Sequence, residues 1–145
     1  MEEIAKQRTA EANGAPIKYI HIVLEKDEIT AETPNDIVEA SEYYRTLRGQ
    51  HKNADNLQMF SGNSSTFAFH AFSDMDKFLT QPILIIAGTK ANSIWQSELA
   101  YSNATVAKSR ELYKIEGATH MDLYDIEKYV NQAVDRIGKF FSKNL

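Results

Sequence analysis

Six consecutive residues, Ile83-Leu84-Ile85-Ile86-Ala87-Gly88, carry no polar side chain. A strand of that kind has no face to turn to water, so it belongs inside a parallel sheet with helices on both sides. Downstream, Leu112, Tyr113 and Ile115 mark a second strand within Glu111–Glu116, and Gly117-Ala118-Thr119-His120 forms a loop after it. The stretch Ile94–Thr105 between the strands has room for a helix. Beyond the loop, Ile126, Tyr129, Val130, Ala133, Val134, Ile137, Phe140 and Phe141 recur at helical spacing, and this stripe must be buried against something, most simply the sheet. Strand, helix, strand, helix predicts a parallel pair joined by a right-handed crossover. Two such strands leave unpaired edges and apolar faces. The sheet therefore calls for more strands, from the N-terminal half, a second copy or a different chain.

The N-terminal half is less sharply patterned. Glu2–Ala12 reads as a short polar helix stopped by Asn13-Gly14, and Pro16–Leu24 as extended chain. Thr33 can cap a helix whose first turn holds Pro34 and Asp36. Ile37, Val38, Ser41 and Tyr44 share its face, and it ends near Thr46, before a polar loop over Arg48–Asn56. Phe67, Phe69 and Phe72 cluster around His70 in an aromatic stretch that reads as core, or as the lining of an acyl pocket. Asp74–Leu79 can form another short helix before Pro82.

Composition removes several function classes. A chain of 145 residues with 43% hydrophobic and 25% charged residues is expected to form one globular domain, residues 1–145. The net charge of −4, with no basic cluster interleaved with aromatics, argues against nucleic acid as a partner. No apolar run is long enough to span a bilayer, and Met1–Lys6 lacks the order of a signal peptide. The expectation is a cytoplasmic protein with no membrane partner. There are no cysteines, and His21, His51, His70 and His120 show no paired ligand spacing, so no metal is expected. Without a phosphate-cradling glycine loop, no cofactor is expected either.

Four blocks then carry a family resemblance: Glu3–Gly14 (EIAKQRTAEANG), Thr33–Gln50 (TPNDIVEASEYYRTLRGQ), Pro82–Asn92 (PILIIAGTKAN) and Gly117–Asp125 (GATHMDLYD). In this order they resemble the C-terminal half of bacterial α/β hydrolases, specifically the dienelactone-hydrolase-related, peptidase-like group. The resemblance implies an α/β fold with a partial hydrolase sheet, its C-terminal parallel strands flanked by helices and completed by oligomerisation or a partner chain.

By that resemblance His120 matches the catalytic base, which would take a proton from a serine hydroxyl and return it to the leaving group. A loop histidine satisfied by a backbone carbonyl is the other reading of the residue. Asn92 stands where such enzymes carry an aspartate. An amide oxygen can orient an imidazole but supplies no charge, and in a serine protease the corresponding change costs on the order of 10⁴ in turnover. Asp122 is either a substitute acid or a solvated, helix-capping residue. The nucleophile is the larger departure. Gly62-Asn63-Ser64-Ser65-Thr66 lacks the second glycine of a G-x-S-x-G elbow, and the family's serine and oxyanion loop would lie upstream of Met1. The implied activity is ester or related acyl-bond hydrolysis, weak or absent in the chain alone. Its implied partner is an N-terminal hydrolase half supplying the serine. The alternative is a non-catalytic module that associates with copies of itself.

Overall fold

The computed structural model describes residues 1–145, which fall into two units, Met1–His70 and Ala71–Leu145. In the first, helix α1 (Glu2–Ala12) precedes a short antiparallel pair, β1 (Tyr19–His21) and β2 (Leu57–Met59), in the register Tyr19↔Met59. Helix α2 (Asn35–Tyr44) lies between them in sequence, and α3 (Asn63–Ala68) closes the unit. Helix α2 starts later than its sequence suggests. Pro34, not Thr33, is the capping residue, because the Thr33 hydroxyl is turned back to accept the Thr30 N–H at 2.9 Å. Asn56 organises the turn before β2. It is buried with a left-handed φ of 62°, a backbone region asparagine tolerates better than most residues. Its side-chain amide accepts the Val23 N–H at 2.9 Å and donates to the Val23 carbonyl and to Glu25, both at 2.8 Å.

The second unit holds the α/β element. After α4 (Met75–Phe78), the apolar run forms β3 (Ile83–Gly88), followed by α5 (Ile94–Asn103), β4 (Arg110–Ile115), α6 (Asp122–Asp125) and α7 (Glu127–Asn144). β3 and β4 pair in parallel from Ile83↔Arg110 to Gly88↔Ile115. Alternation along β4 assigns its two faces. Lys114 reaches Glu98 of α5 at 2.5 Å and Arg110 donates to the Tyr101 carbonyl at 2.9 Å. Glu111 instead pairs with Arg136 of α7, whose guanidinium also lies 5.5 Å from the Tyr113 ring centre. Helices α5 and α7 therefore sit on opposite faces of the sheet, as the doubly apolar β3 requires.

What this sheet buries is small. The buried apolar residues of the unit are Ala87, Ala91, Ala100, Ala104, Ala118 and Ile115, and Ile115 is the one large side chain fully enclosed. The alanines let α5 and the loops approach the strands closely but supply little apolar area. The α7 stripe is only partly covered: Tyr129, Val130 and Ala133 are half-buried, while Val134 and Phe141 are 59% and 51% exposed. A helix of 18 residues is about 27 Å long, whereas a six-residue strand spans about 20 Å, so two strands cannot cover it. The expected aromatic core around His70 does not form within either unit, since Phe67 and Phe69 are 66% and 73% exposed. No helix is long and apolar enough to cross a membrane.

Candidate active site

The carboxyl ends of β3 and β4 carry the loops that meet at His120. Gly88 ends β3 directly against the second loop, and a Cβ there would overlap the Ala118 and Thr119 carbonyls. Only glycine permits that approach. The loops are then stitched together: the Thr89 N–H donates to the Ile115 carbonyl at 3.0 Å and the Lys90 N–H to the Ala118 carbonyl at 2.9 Å. The Gly117 N–H donates to the Thr89 hydroxyl at 2.8 Å, and Gly117 itself turns the chain with a φ of 77°. From α7, the Tyr129 hydroxyl donates to the Gly117 carbonyl at 3.2 Å.

Asp122 secures the exit from this loop. Its carboxylate accepts the Thr119 N–H at 2.9 Å, while the Thr119 hydroxyl accepts the Asp122 N–H at 3.3 Å. Asp122, the first residue of α6, thus ties its carboxylate to the Thr119 backbone. His120 projects from the turn so formed and is exposed. Its Nδ1 lies 3.4 Å from the Ser93 hydroxyl and its Nε2 lies 2.7 Å from the Tyr124 hydroxyl. The His120 and Tyr124 rings meet edge to face at 5.3 Å. Both ring nitrogens thus face hydroxyls, and neither faces Asn92, which is exposed in the loop one residue before Ser93.

His120 and Tyr124 border an open hollow of about 490 Å³ whose other lining includes Phe72, Met75, Ile85 and Leu123. An imidazole beside an apolar concavity at the carboxyl ends of parallel strands is where open α/β sheets place ligand chemistry. Chemically, the site offers an imidazole whose two nitrogens can take or give a proton, and apolar surface for an acyl or aryl group. It offers no carboxylate in contact with the imidazole to stabilise a positive charge.

Sequence reasoning brought His120 and Asn92 to adjoining loops and missed Ser93 and Tyr124. Tyr124 could have been found, since it lies four residues after His120 and one helical turn brings such residues together. Ser93 stands before α5, where a serine ordinarily reads as a helix cap. Ser64, in the string nearest a nucleophile elbow, lies in helix α3 with ordinary backbone. Its hydroxyl donates to the Ser61 carbonyl at 3.0 Å and accepts from Arg8 at 3.1 Å.

No protein-family model matches the chain. It is similar to the uncharacterized protein YcjY of Escherichia coli K12, 34% identical over 116 residues, covering 79% of this chain and 38% of that protein. It is also similar to the uncharacterized protein PA2218 of Pseudomonas aeruginosa, 32% identical over 152 aligned positions, covering 100% of this chain and 38% of that one. The chain therefore spans well under half the length of the curated relatives it matches. Among solved structures, the hypothetical protein PA2218 superposes with a TM-score of 0.82 at 29% identity, over 99% of this chain and 44% of that chain. DcsB, solved in complex with its substrate analogue, gives a TM-score of 0.73 at 11% identity, over 99% of this chain and 49% of that chain. The α/β hydrolase GrgF from Penicillium sp. sh18 gives 0.64 at 15% identity, over 99% and 47% respectively. The fold is accordingly a hydrolase-like α/β fold containing part of the parallel sheet.

Proposed function

We propose that this chain is the base-bearing C-terminal part of a serine α/β hydrolase of the dienelactone-hydrolase-related kind, acting on esters or related acyl bonds. The observation that carries this reading is His120, held at the carboxyl ends of β3 and β4 on the border of an apolar hollow. In the completed site, a serine from chain outside these 145 residues loses its proton to Nε2 as it attacks the acyl carbon. His120 then delivers that proton to the leaving group. The partner also supplies backbone N–H donors for the developing oxyanion. Alone, the chain is inactive or nearly so, because a base without nucleophile and oxyanion hole performs little acyl transfer. Asn92 occupies the acid position of the family pattern and adds no charge.

The test is co-expression with a hydrolase half bearing a G-x-S-x-G elbow, encoded beside this chain, followed by purification and a screen of short-chain aryl esters. Turnover that vanishes both on replacing the partner serine and in His120→Ala supports the reading. A stoichiometric complex with no turnover on any ester sinks it.

A second reading is favoured by the same unfilled surfaces. β3 has β4 as its only strand neighbour, and much of the α7 stripe is open. A chain that hides these by pairing with its own copy is a non-catalytic module. Its sign is a mass in solution at a whole multiple of 16.4 kDa without any second polypeptide.

A further inference from the structure

We propose that Ser93 is the positioning residue of His120, performing for the imidazole the orienting task that the family pattern assigns to the position of Asn92. This rests on the hydrolase reading for its catalytic meaning, but the geometry concerns this chain alone. Ser93 is the residue before α5, where a serine normally turns its hydroxyl onto the helix's first free N–H groups. Here Ser93 makes no such capping bond. Its hydroxyl instead faces His120 Nδ1 at 3.4 Å, across 27 residues of sequence. A capping serine that leaves its helix uncapped to meet an imidazole is placed by the tertiary structure.

The other nitrogen determines the direction of the protons. The Tyr124 phenol lies 2.7 Å from Nε2, and a phenol is a better donor than an aliphatic hydroxyl. With the phenol donating to Nε2, that nitrogen carries the lone pair. Nδ1 then carries the proton and donates it to the Ser93 oxygen. This is the tautomer a general base requires, with the basic nitrogen directed at the incoming hydroxyl. Tyr124 thereby holds the place on Nε2 that a nucleophilic hydroxyl takes in a complete site. Ser93 fixes the ring without a charge, whereas an aspartate would also stabilise the imidazolium.

The experiment is long-range proton–nitrogen correlation NMR of the imidazoles in the uniformly ¹⁵N-labelled 145-residue chain, at a pH where His120 is neutral. The wild type should show His120 mainly as the Nδ1–H tautomer. Ser93→Ala should shift the ratio toward Nε2–H by about 2- to 10-fold, the effect of one neutral hydrogen bond. Ser93→Thr should restore it, and Asn92→Ala should leave it as in the wild type. Loss of no capping bond means that Ser93→Ala is not expected to unfold α5, and the backbone amide spectrum checks this directly. An unchanged ratio in Ser93→Ala, or a shift produced by Asn92→Ala instead, overturns the proposal. No substrate or partner enters the measurement, so absent ester turnover would count against the hydrolase reading and leave this result standing.

Discussion

The hydroxyl of Thr89 accepts the backbone N–H of Gly117 at 2.8 Å, joining the loop after β3 to the loop that carries His120. A half-buried N–H deprived of its acceptor costs about 1–3 kcal/mol. Thr89→Val keeps the branched shape and removes the oxygen, so it should destabilise the second unit by about that amount. Thr89→Ser should lose much less. Trp95, the single tryptophan, lies in this unit and reports its urea transition by fluorescence.

Gly88→Ala should be more disruptive than its one added methyl group suggests. The new Cβ overlaps two backbone carbonyls, Ala118 and Thr119, and neither can rotate aside as a side chain could. Overpacking of this kind costs about 1–3 kcal/mol. The expected result is a lower Trp95 urea midpoint together with displaced His120 imidazole resonances. Undisturbed resonances in a fully stable variant would show that the two loops do not depend on this approach.

In the first unit, Asn56 combines a left-handed backbone with three side-chain hydrogen bonds. Asn56→Ala loses both features and should destabilise the turn before β2 by about 2–3 kcal/mol. Asn56→Gly keeps the backbone freedom and should recover part of that loss. The Ile22 N–H, which donates to the Asn56 carbonyl at 3.1 Å, is the amide whose exchange rate reads the effect.

Acid should weaken the same turn. The Arg45 guanidinium at 2.8 Å, and then the Asn56 amide, hold the Glu25 carboxyl below the usual range. The Glu25 N–H at 2.7 Å, and then His21 at 2.8 Å, do the same for Glu28. Because both groups titrate lower in the folded than in the unfolded chain, their stabilisation is complete above the ordinary glutamate range near about pH 4.3. It is lost as the pH falls through their folded values. Ile22 amide protection, corrected for intrinsic exchange, should therefore fall more steeply on acidification in the wild type than in Glu25→Gln.

In the proposed hydrolase, placing a carboxylate against Nδ1 should matter more than placing one at the family position. Ser93→Asp should raise ester turnover by about tenfold or more, since in a serine protease the orienting charge is worth on the order of 10⁴. Asn92→Asp should raise it less. Steady-state rates of the two variants beside His120→Ala, which should be inactive, make the comparison.

Local pattern carried a large share of the fold. The apolar run set β3, the helical stripe set α7, and the polar, alanine-rich stretch set α1, because each depends on neighbours within a few residues. The loop bearing His120 was legible for the same reason, as a glycine-led turn directly after an apolar strand. Burial was less legible. Helical spacing shows which side of α7 seeks cover but not whether two strands are wide and long enough to give it, and Val134 and Phe141 remain in water.

The partners of His120 were decided only in three dimensions. Ser93 and His120 meet because β3 and β4 run parallel in register, Gly88 admits the Ala118 carbonyl, and Thr89 clamps Gly117. A one-residue difference in how the loop leaves β3 separates Asn92 from Ser93. The sequence by itself determined that a histidine would stand at the end of a parallel strand pair. Which hydroxyl or amide would face its Nδ1 depended on an approach of a few ångströms between loops 27 residues apart, a distance that no local periodicity encodes.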